Sequence, residues 1–131
     1  MTCRLPGSTS DGSRQAFAMG TGLLAMGVLH FVRPAGFDSI IPDEIPLPKR
    51  ILTLASGVAE LAVGTGLMVP KTRRAASLAA IALFIAVFPA NINTVRVVKD
   101  KQLAIKMIAV ARLPFQIPLI TTAWRTFKRS A

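Results

Sequence analysis

Four long apolar runs divide the chain, and short polar or basic segments separate them. The runs are Ala16 to Val32, Ile51 to Val69, Ala75 to Val95 and Met107 to Trp124. Each approaches the roughly 20 residues that an α-helix needs to cross a bilayer. The third carries no charged side chain. With their flanking residues the runs predict helices over about 15–33, 50–69, 73–98 and 103–125. Four such helices joined by short connections predict an all-α, four-transmembrane-helix up-and-down bundle.

The connections differ in character. Pro34, Pro42, Pro46 and Pro48 punctuate the segment between the first two helices. Their fixed φ stiffens it, which predicts an ordered Pro-rich interfacial loop, with Phe37 to Ile41 as one turn of helix on the membrane surface. Residues 1–14 are polar and rich in Ser and Gly, as expected of a disordered N-terminal tail. They lack the apolar core of a cleavable signal peptide, so the first run is expected to stay as an anchor. Residues 128–131 form a basic C-terminal tail, leaving residues 15–127 as a single membrane domain.

Each of the first two helices places its lone ionisable group on a face of small residues. At 100° per residue, Ala16, Gly20, Leu23, Gly27 and His30 fall within about 80° on the first helix. Thr53, Ser56, Gly57, Glu60 and Gly64 fall within about 100° on the second. Small residues let helix backbones approach where lipid supplies no hydrophobic drive, so Gly20, Gly27, Gly57 and Gly64 are expected at the helix contacts. His30 and Glu60 then point into the bundle. On the third helix Asn91 shares a face with Ala80, Phe84 and Val87, while Asn93 points about 200° away, to cap the helix or face water. On the fourth, Arg112 and Gln116 are four apart and share a face.

Prolines inside the last two runs add a requirement. Pro89 should bend the third helix, and Pro114 and Pro118 free the carbonyls of Val110 and Pro114. In lipid those carbonyls need donors, which Arg112 or an ordered water would supply. In an alternating bundle His30, Ser56, Glu60, Asn91, Arg112 and Gln116 meet in one half of the core, as a polar pocket. Arg112 is the one intramembrane cation there, so it is expected to neutralise Glu60. The pair is either a structural lock on helix register or part of a ligand or proton site. His30 is either a satisfied polar group at a helix end or a proton carrier.

Composition agrees with the pattern. Hydrophobic residues make up 52% of the chain and charged residues 17%, with a mean hydropathy of +0.53. A soluble domain carries roughly 25% charged residues. The net charge of +10 arises from Lys and Arg clustered between apolar runs, as membrane flanks are, and nucleic acid is not an expected partner. Cys3 is the single cysteine and His30 the single histidine, which excludes an intrachain disulfide, a CxxC redox pair and a Cys- or His-rich metal site. No catalytic residue is assigned. Arg4, Arg14, Lys71, Arg73, Arg74, Arg125, Lys128 and Arg129 fall on one side. Arg33, Lys49, Arg50, Arg96, Lys99, Lys101 and Lys106 fall on the other. The compact basic turn and tail favour both termini in the cytoplasm.

The motifs Gly27-x-x-His30-Phe31, Ser56-Gly57-x-x-Glu60, Gly64-x-Gly66-Leu67-x-x-Pro70, Phe88-Pro89-Ala90-Asn91 and Arg112-Leu113-Pro114-x-Gln116 occur in this order. Together with Phe37-x-x-Ile40-Ile41-Pro42 and Pro46, this pattern resembles the DoxX-like family of small four-helix membrane proteins over about residues 16–125. The resemblance implies a bacterial inner-membrane, multi-pass protein with cytoplasmic termini. Wider relatives include a subunit of a thiosulfate:quinone oxidoreductase, membrane partners of redox-defence enzymes and a eukaryotic branch that assists receptor assembly. This chain has no intramembrane cysteine and no cofactor motif, so it cannot carry dithiol redox chemistry alone.

The leading expectation is a non-catalytic membrane protein whose polar pocket binds a quinone or lipid, or a partner protein, with no intrinsic cofactor. One alternative is the membrane subunit of a quinone-linked oxidoreductase, which requires a redox-enzyme partner. Another is a proton-coupled transporter using Glu60 and His30, for which four helices would require a homo-oligomer.

Overall fold

The computed structural model describes residues 8–130, with side chains from Ser13 onward. Five helices follow one another: α1 (Ser8–Val32), α2 (Pro34–Asp38), α3 (Lys49–Met68), α4 (Arg73–Val97) and α5 (Leu103–Arg129). Four of them, all but the five-residue α2, are long and apolar enough to span a membrane. Pro34 opens α2, where its missing amide costs no hydrogen bond. Pro89 sits inside α4, and Pro114 and Pro118 inside α5, without ending either helix.

The helix boundaries follow the apolar runs except at two ends. Residues 8–14, expected in the N-terminal tail, continue α1, and residues 128 and 129 of the basic tail are the last of α5. Once a long apolar helix is nucleated, each further residue adds a hydrogen bond for one residue's ordering, so the helix runs on into polar sequence. The rest of the expected tail, residues 1–7, lies outside the described residues.

α1 packs on α3, α3 on α4, α4 on α5, and α5 back on α1. The α1–α3 contact is the closest, and glycines make it so. A Cβ on Gly20 would stand 2.8 Å from the Gly64 carbonyl oxygen, and one on Gly64 would stand 2.9 Å from that of Gly20. About 10 Å along, at 1.5 Å per residue, a Cβ on Gly27 would meet the Gly57 carbonyl at 3.0 Å. Residue 20 thus meets 64 and residue 27 meets 57, so the two helices run in opposite senses. Between α4 and α5, Arg74 lies over the Phe127 ring and Gln116 reaches Phe84, again in opposite senses.

Packing divides the bundle into two halves. In the half next to the α3–α4 turn, Met19, Leu23, Leu67, Ala76, Ala80, Phe84 and Ala123 form a continuous apolar core. The α3 C-terminus there is closed by the next helix. Buried Arg73 donates through Nε to the Leu67 carbonyl at 2.8 Å, and the Thr72 hydroxyl donates to Gly66 at 2.8 Å. A cation at a helix C-terminus satisfies free carbonyls and the helix dipole together. Outward, the helices present large apolar side chains, such as Ile85, Ile108 and Ile117, that are 59%, 64% and 67% exposed. So much unbroken apolar surface marks a face for lipid rather than water.

Candidate functional site

The other half of the bundle holds a cavity of about 360 Å³, walled by α1, α3, α4, α5 and the α2 loop. Most of its surface is apolar, from Met19, Leu23, Phe84, Val87 and Leu119, and its polar groups gather toward the loop side. His30, Ser56, Glu60, Asn91, Arg112 and Gln116 all line it. Each reaches it by the helix face that its spacing dictates, with one polar contribution at least from every spanning helix.

Glu60 is buried, and its Oε2 lies 3.1 Å from Nδ1 of His30. That ring nitrogen is already engaged, donating to the Met26 carbonyl at 2.7 Å. Glu60 Oε2 is buried with no hydrogen-bond partner among the described residues. Phe37 of α2 stacks on the His30 ring, with centroids 3.7 Å apart and planes 16° from parallel. The imidazole is therefore held from three sides: by Met26 on its own helix, by Glu60 and by the loop.

Arg112, expected to neutralise Glu60, lines the same cavity without a direct ion pair to it. No ion pair joins them among the described residues, and Arg112 is an exposed residue on α5 that lines the cavity. Among the described residues it donates to neither of the carbonyls that Pro114 and Pro118 free. The reason is geometric: α5 packs on α4 and α1, while α3 faces α1 and α4, so the cavity lies between Arg112 and Glu60. His30, on the neighbouring helix across the glycine contact, is nearer.

The amides form their own link. Gln116 donates through Nε2 to the Phe84 carbonyl and accepts from Asn91 Nδ2 at 3.5 Å. Asn93, expected to cap its helix or face water, is instead buried and donates to the Ile40 carbonyl at 2.9 Å. It reaches the loop because the loop folds back over the end of α4.

That loop is pinned by charge. Asp38 accepts from Thr53 and from Arg50, Asp43 pairs with Lys49, and Glu44 pairs with Arg96. The Thr53 hydroxyl and then the Arg50 guanidinium hold the Asp38 carboxyl below its ordinary value. The Lys49 ammonium does the same for Asp43. For Glu44 its own backbone amide acts first and Arg96 second. Sequence reasoning read Lys49, Arg50 and Arg96 as flanking charges. Three acids in a stretch of seven residues, facing three cations on two helix ends, was the available signal.

The mouth of the cavity can be located from its lining. The exposed lining residues are Ala18 and Gly22 on α1 and Arg112 and Phe115 on α5, whereas those on α3 and α4 are buried or half-buried. The cavity therefore opens sideways between α1 and α5. Gly22 lies about 15 Å along α1 from its loop end and Arg112 about 14 Å along α5 from its start, at 1.5 Å per residue. Each distance is about half of the roughly 30 Å that a bilayer's hydrocarbon layer measures.

Residues 19–127 match a family model whose description reads "Domain of unknown function (DUF8561)". No curated protein and no solved structure matches the chain.

Proposed function

The chain belongs to the DUF8561 family, whose description names no activity, and we propose that it is a non-catalytic membrane protein that holds an apolar small molecule in its lateral cavity. One observation carries this reading: a cavity with apolar walls and a polar end, walled by all four long apolar helices, opens about halfway along two of them. At about 360 Å³ it falls in the range of roughly 300–1,000 Å³ typical of small-molecule sites. A purely structural polar core would be expected to close on itself, because each unpaired polar group in lipid costs free energy. Here Glu60 and Arg112 both line the open space, and among the described residues no ion pair joins them.

The reading places the chain across the bilayer as an up-and-down bundle, with the Pro-rich loop as an interfacial cap over the polar end. The basic α3–α4 turn and basic end of α5 support cytoplasmic termini. The motif resemblance to DoxX-like proteins supports a bacterial inner membrane and a quinone or membrane lipid as the occupant. Native mass spectrometry of gently extracted protein tests the reading. A retained lipid or quinone, lost in the Glu60→Gln, Arg112→Met double variant, is expected. Recovery of bare protein, together with no change in binding for that variant, would refute it.

A further inference from the structure

The two ends of the bundle treat their cations differently. At the end that carries the α2 loop, Lys49, Arg50 and Arg96 are paired with Asp43, Asp38 and Glu44. At the other end, where the α3–α4 turn meets the start of α1 and the end of α5, Arg14, Lys71, Arg74, Arg125, Lys128 and Arg129 are exposed. None of these has an ion pair among the described residues. From this basic end and the seam between α4 and α5 that leads away from it, we infer a binding site for an anionic phospholipid. The headgroup phosphate lies against Arg74 and Lys128, and an acyl chain lies along the seam. The site requires a bilayer around the chain but not an occupied cavity, whose polar groups lie toward the opposite end.

A row of four side chains builds the headgroup end. Arg74 stands over the Phe127 ring, 4.3 Å from its centroid. Phe127 stacks on Trp124, with centroids 5.3 Å apart and planes 25° from parallel, and Lys128 lies 6.0 Å over Trp124. Trp124, Phe127 and Lys128 are three and four residues apart, so helical spacing sets them side by side on α5. A ring contact fixes where a cation stands and leaves its N–H donors for another acceptor. Side chains ordered before the ligand arrives lose less entropy on binding it. Arg73, by contrast, spends its donors on the Leu67 and Met68 carbonyls.

The seam supplies the apolar end. Ile85 and Phe88 of α4, with Leu113, Ile117 and Ile120 of α5, wall an apolar groove of about 280 Å³. Row and groove share one line. Arg74, Leu78 and Ile85 fall within about 40° on α4, and Leu113, Ile117, Ile120, Trp124 and Phe127 within about 80° on α5. Ile85 is about 16 Å along α4 from Arg74, at 1.5 Å per residue, which is about the depth of one leaflet. Leu78, Ile85 and Ile117 are exposed, so apolar surface continues from the row to the groove. Trp124, also exposed, stands between the two, as an indole does where hydrocarbon meets headgroups.

This pairing of chemistries selects the ligand. A soluble phosphate or a nucleic acid would use the cations and leave the groove empty. A choline headgroup brings a cation among Lys and Arg side chains, whereas phosphatidylglycerol brings only its phosphate anion. Of the acids with described side chains, Asp38, Asp43, Glu44 and Asp100 lie toward the loop end and Glu60 midway along α3, so none repels a phosphate at the row.

The experiment uses the full chain in nanodiscs of phosphatidylglycerol and phosphatidylcholine in equal amounts, with the same acyl chains. Native mass spectrometry counts the lipids retained as the collision energy rises. One Lys or Arg near anionic lipid is worth about fivefold in binding, so the two held cations should favour phosphatidylglycerol by about tenfold or more. The Arg74→Gln, Lys128→Gln variant is expected to cut that preference below about twofold, and the Arg14→Gln, Arg129→Gln variant, with the same change in charge, to keep most of it. Equal loss in the two variants would mean diffuse attraction and overturn the site, as would equal retention of the two lipids by the native chain. Dihexanoyl-phosphatidylglycerol, with the same headgroup and short chains, is expected to leave first; retention equal to the long-chain lipid would overturn the role of the seam. Displacement of the bound lipid by excess inorganic phosphate would make this a phosphate site and overturn the lipid as its ligand. A preference lost in the Glu60→Gln, Arg112→Met variant but kept in Arg74→Gln, Lys128→Gln would place the lipid in the cavity and overturn the site. Should a variant not fold, the headgroup and chain-length comparisons on the native chain still decide the matter.

Discussion

Glu60 Oε2 stands 3.1 Å from His30 Nδ1, yet the hydrogen on that nitrogen points to the Met26 carbonyl 2.7 Å away. Two ionisable groups thus touch without completing a hydrogen bond between them. They are brought together by Gly57, whose missing side chain leaves room for His30: a Cβ there would come within 2.9 Å of the His30 Cβ. The polar pair and the glycine contact are therefore one structural unit.

The glycine contact should be the most substitution-sensitive surface of the bundle. Gly64→Ala would press a methyl group against the Gly20 carbonyl and the Leu24 side chain, and overpacking of this kind costs about 1–3 kcal/mol. Gly22→Ala, with nothing within 4 Å, should not destabilise and should gain up to about 1 kcal/mol from the better helix propensity of Ala. Thermal denaturation of the two variants in the same detergent checks the contrast.

Arg73 should matter more than its neighbour. Arg73→Met leaves the Leu67 and Met68 carbonyls without their side-chain donor, a loss of about 1–3 kcal/mol for buried groups. Arg74→Met removes an exposed cation over Phe127 and should cost less than about 1 kcal/mol. Unfolding in a graded denaturing detergent would rank them. Equal effects would contradict the capping role.

The link between Asn91 and Gln116 should show as a coupling energy. Membrane double-mutant cycles average about 0.6 kcal/mol for interhelical hydrogen bonds, with a ceiling near 1.7. The Asn91→Ala and Gln116→Ala cycle is expected in the lower half of that range, since the bond is long at 3.5 Å. Gln116→Ala alone should cost more than Asn91→Ala, because it also strips the Phe84 carbonyl.

Acid should release the α2 loop before it unfolds the bundle. Asp38, Asp43 and Glu44 are each held below their ordinary values by their partners. A carboxyl with a depressed value in the folded state binds protons more weakly there than in the unfolded state. Its contribution is full above the unfolded value, roughly pH 4, and disappears as pH falls through the lower folded one. Hydrogen exchange of residues 34–48 should therefore rise sharply below about pH 4 while α3 and α4 stay protected. Asp38→Asn should give the same loosening at neutral pH.

The four spanning helices, their approximate ends and the inward faces of His30 and Glu60 are legible in the sequence alone. Each depends on local facts: apolar run length, proline position and a 100° rotation per residue. The glycines at 20, 27, 57 and 64 are legible for the same reason, since small side chains at helical spacing mark a close-packed face whatever the partner. Which groups meet inside that framework is decided only in three dimensions. Spacing places Glu60, His30 and Arg112 at similar depth, but whether a carboxylate reaches an imidazole or a guanidinium depends on which helices are neighbours. The bundle sets α1 against α3 at glycine distance and leaves the cavity between α3 and α5. Asn93 on Ile40 and Phe37 on His30 are likewise set by how the loop folds back, a path of which the proline-rich sequence specifies the stiffness but not the direction.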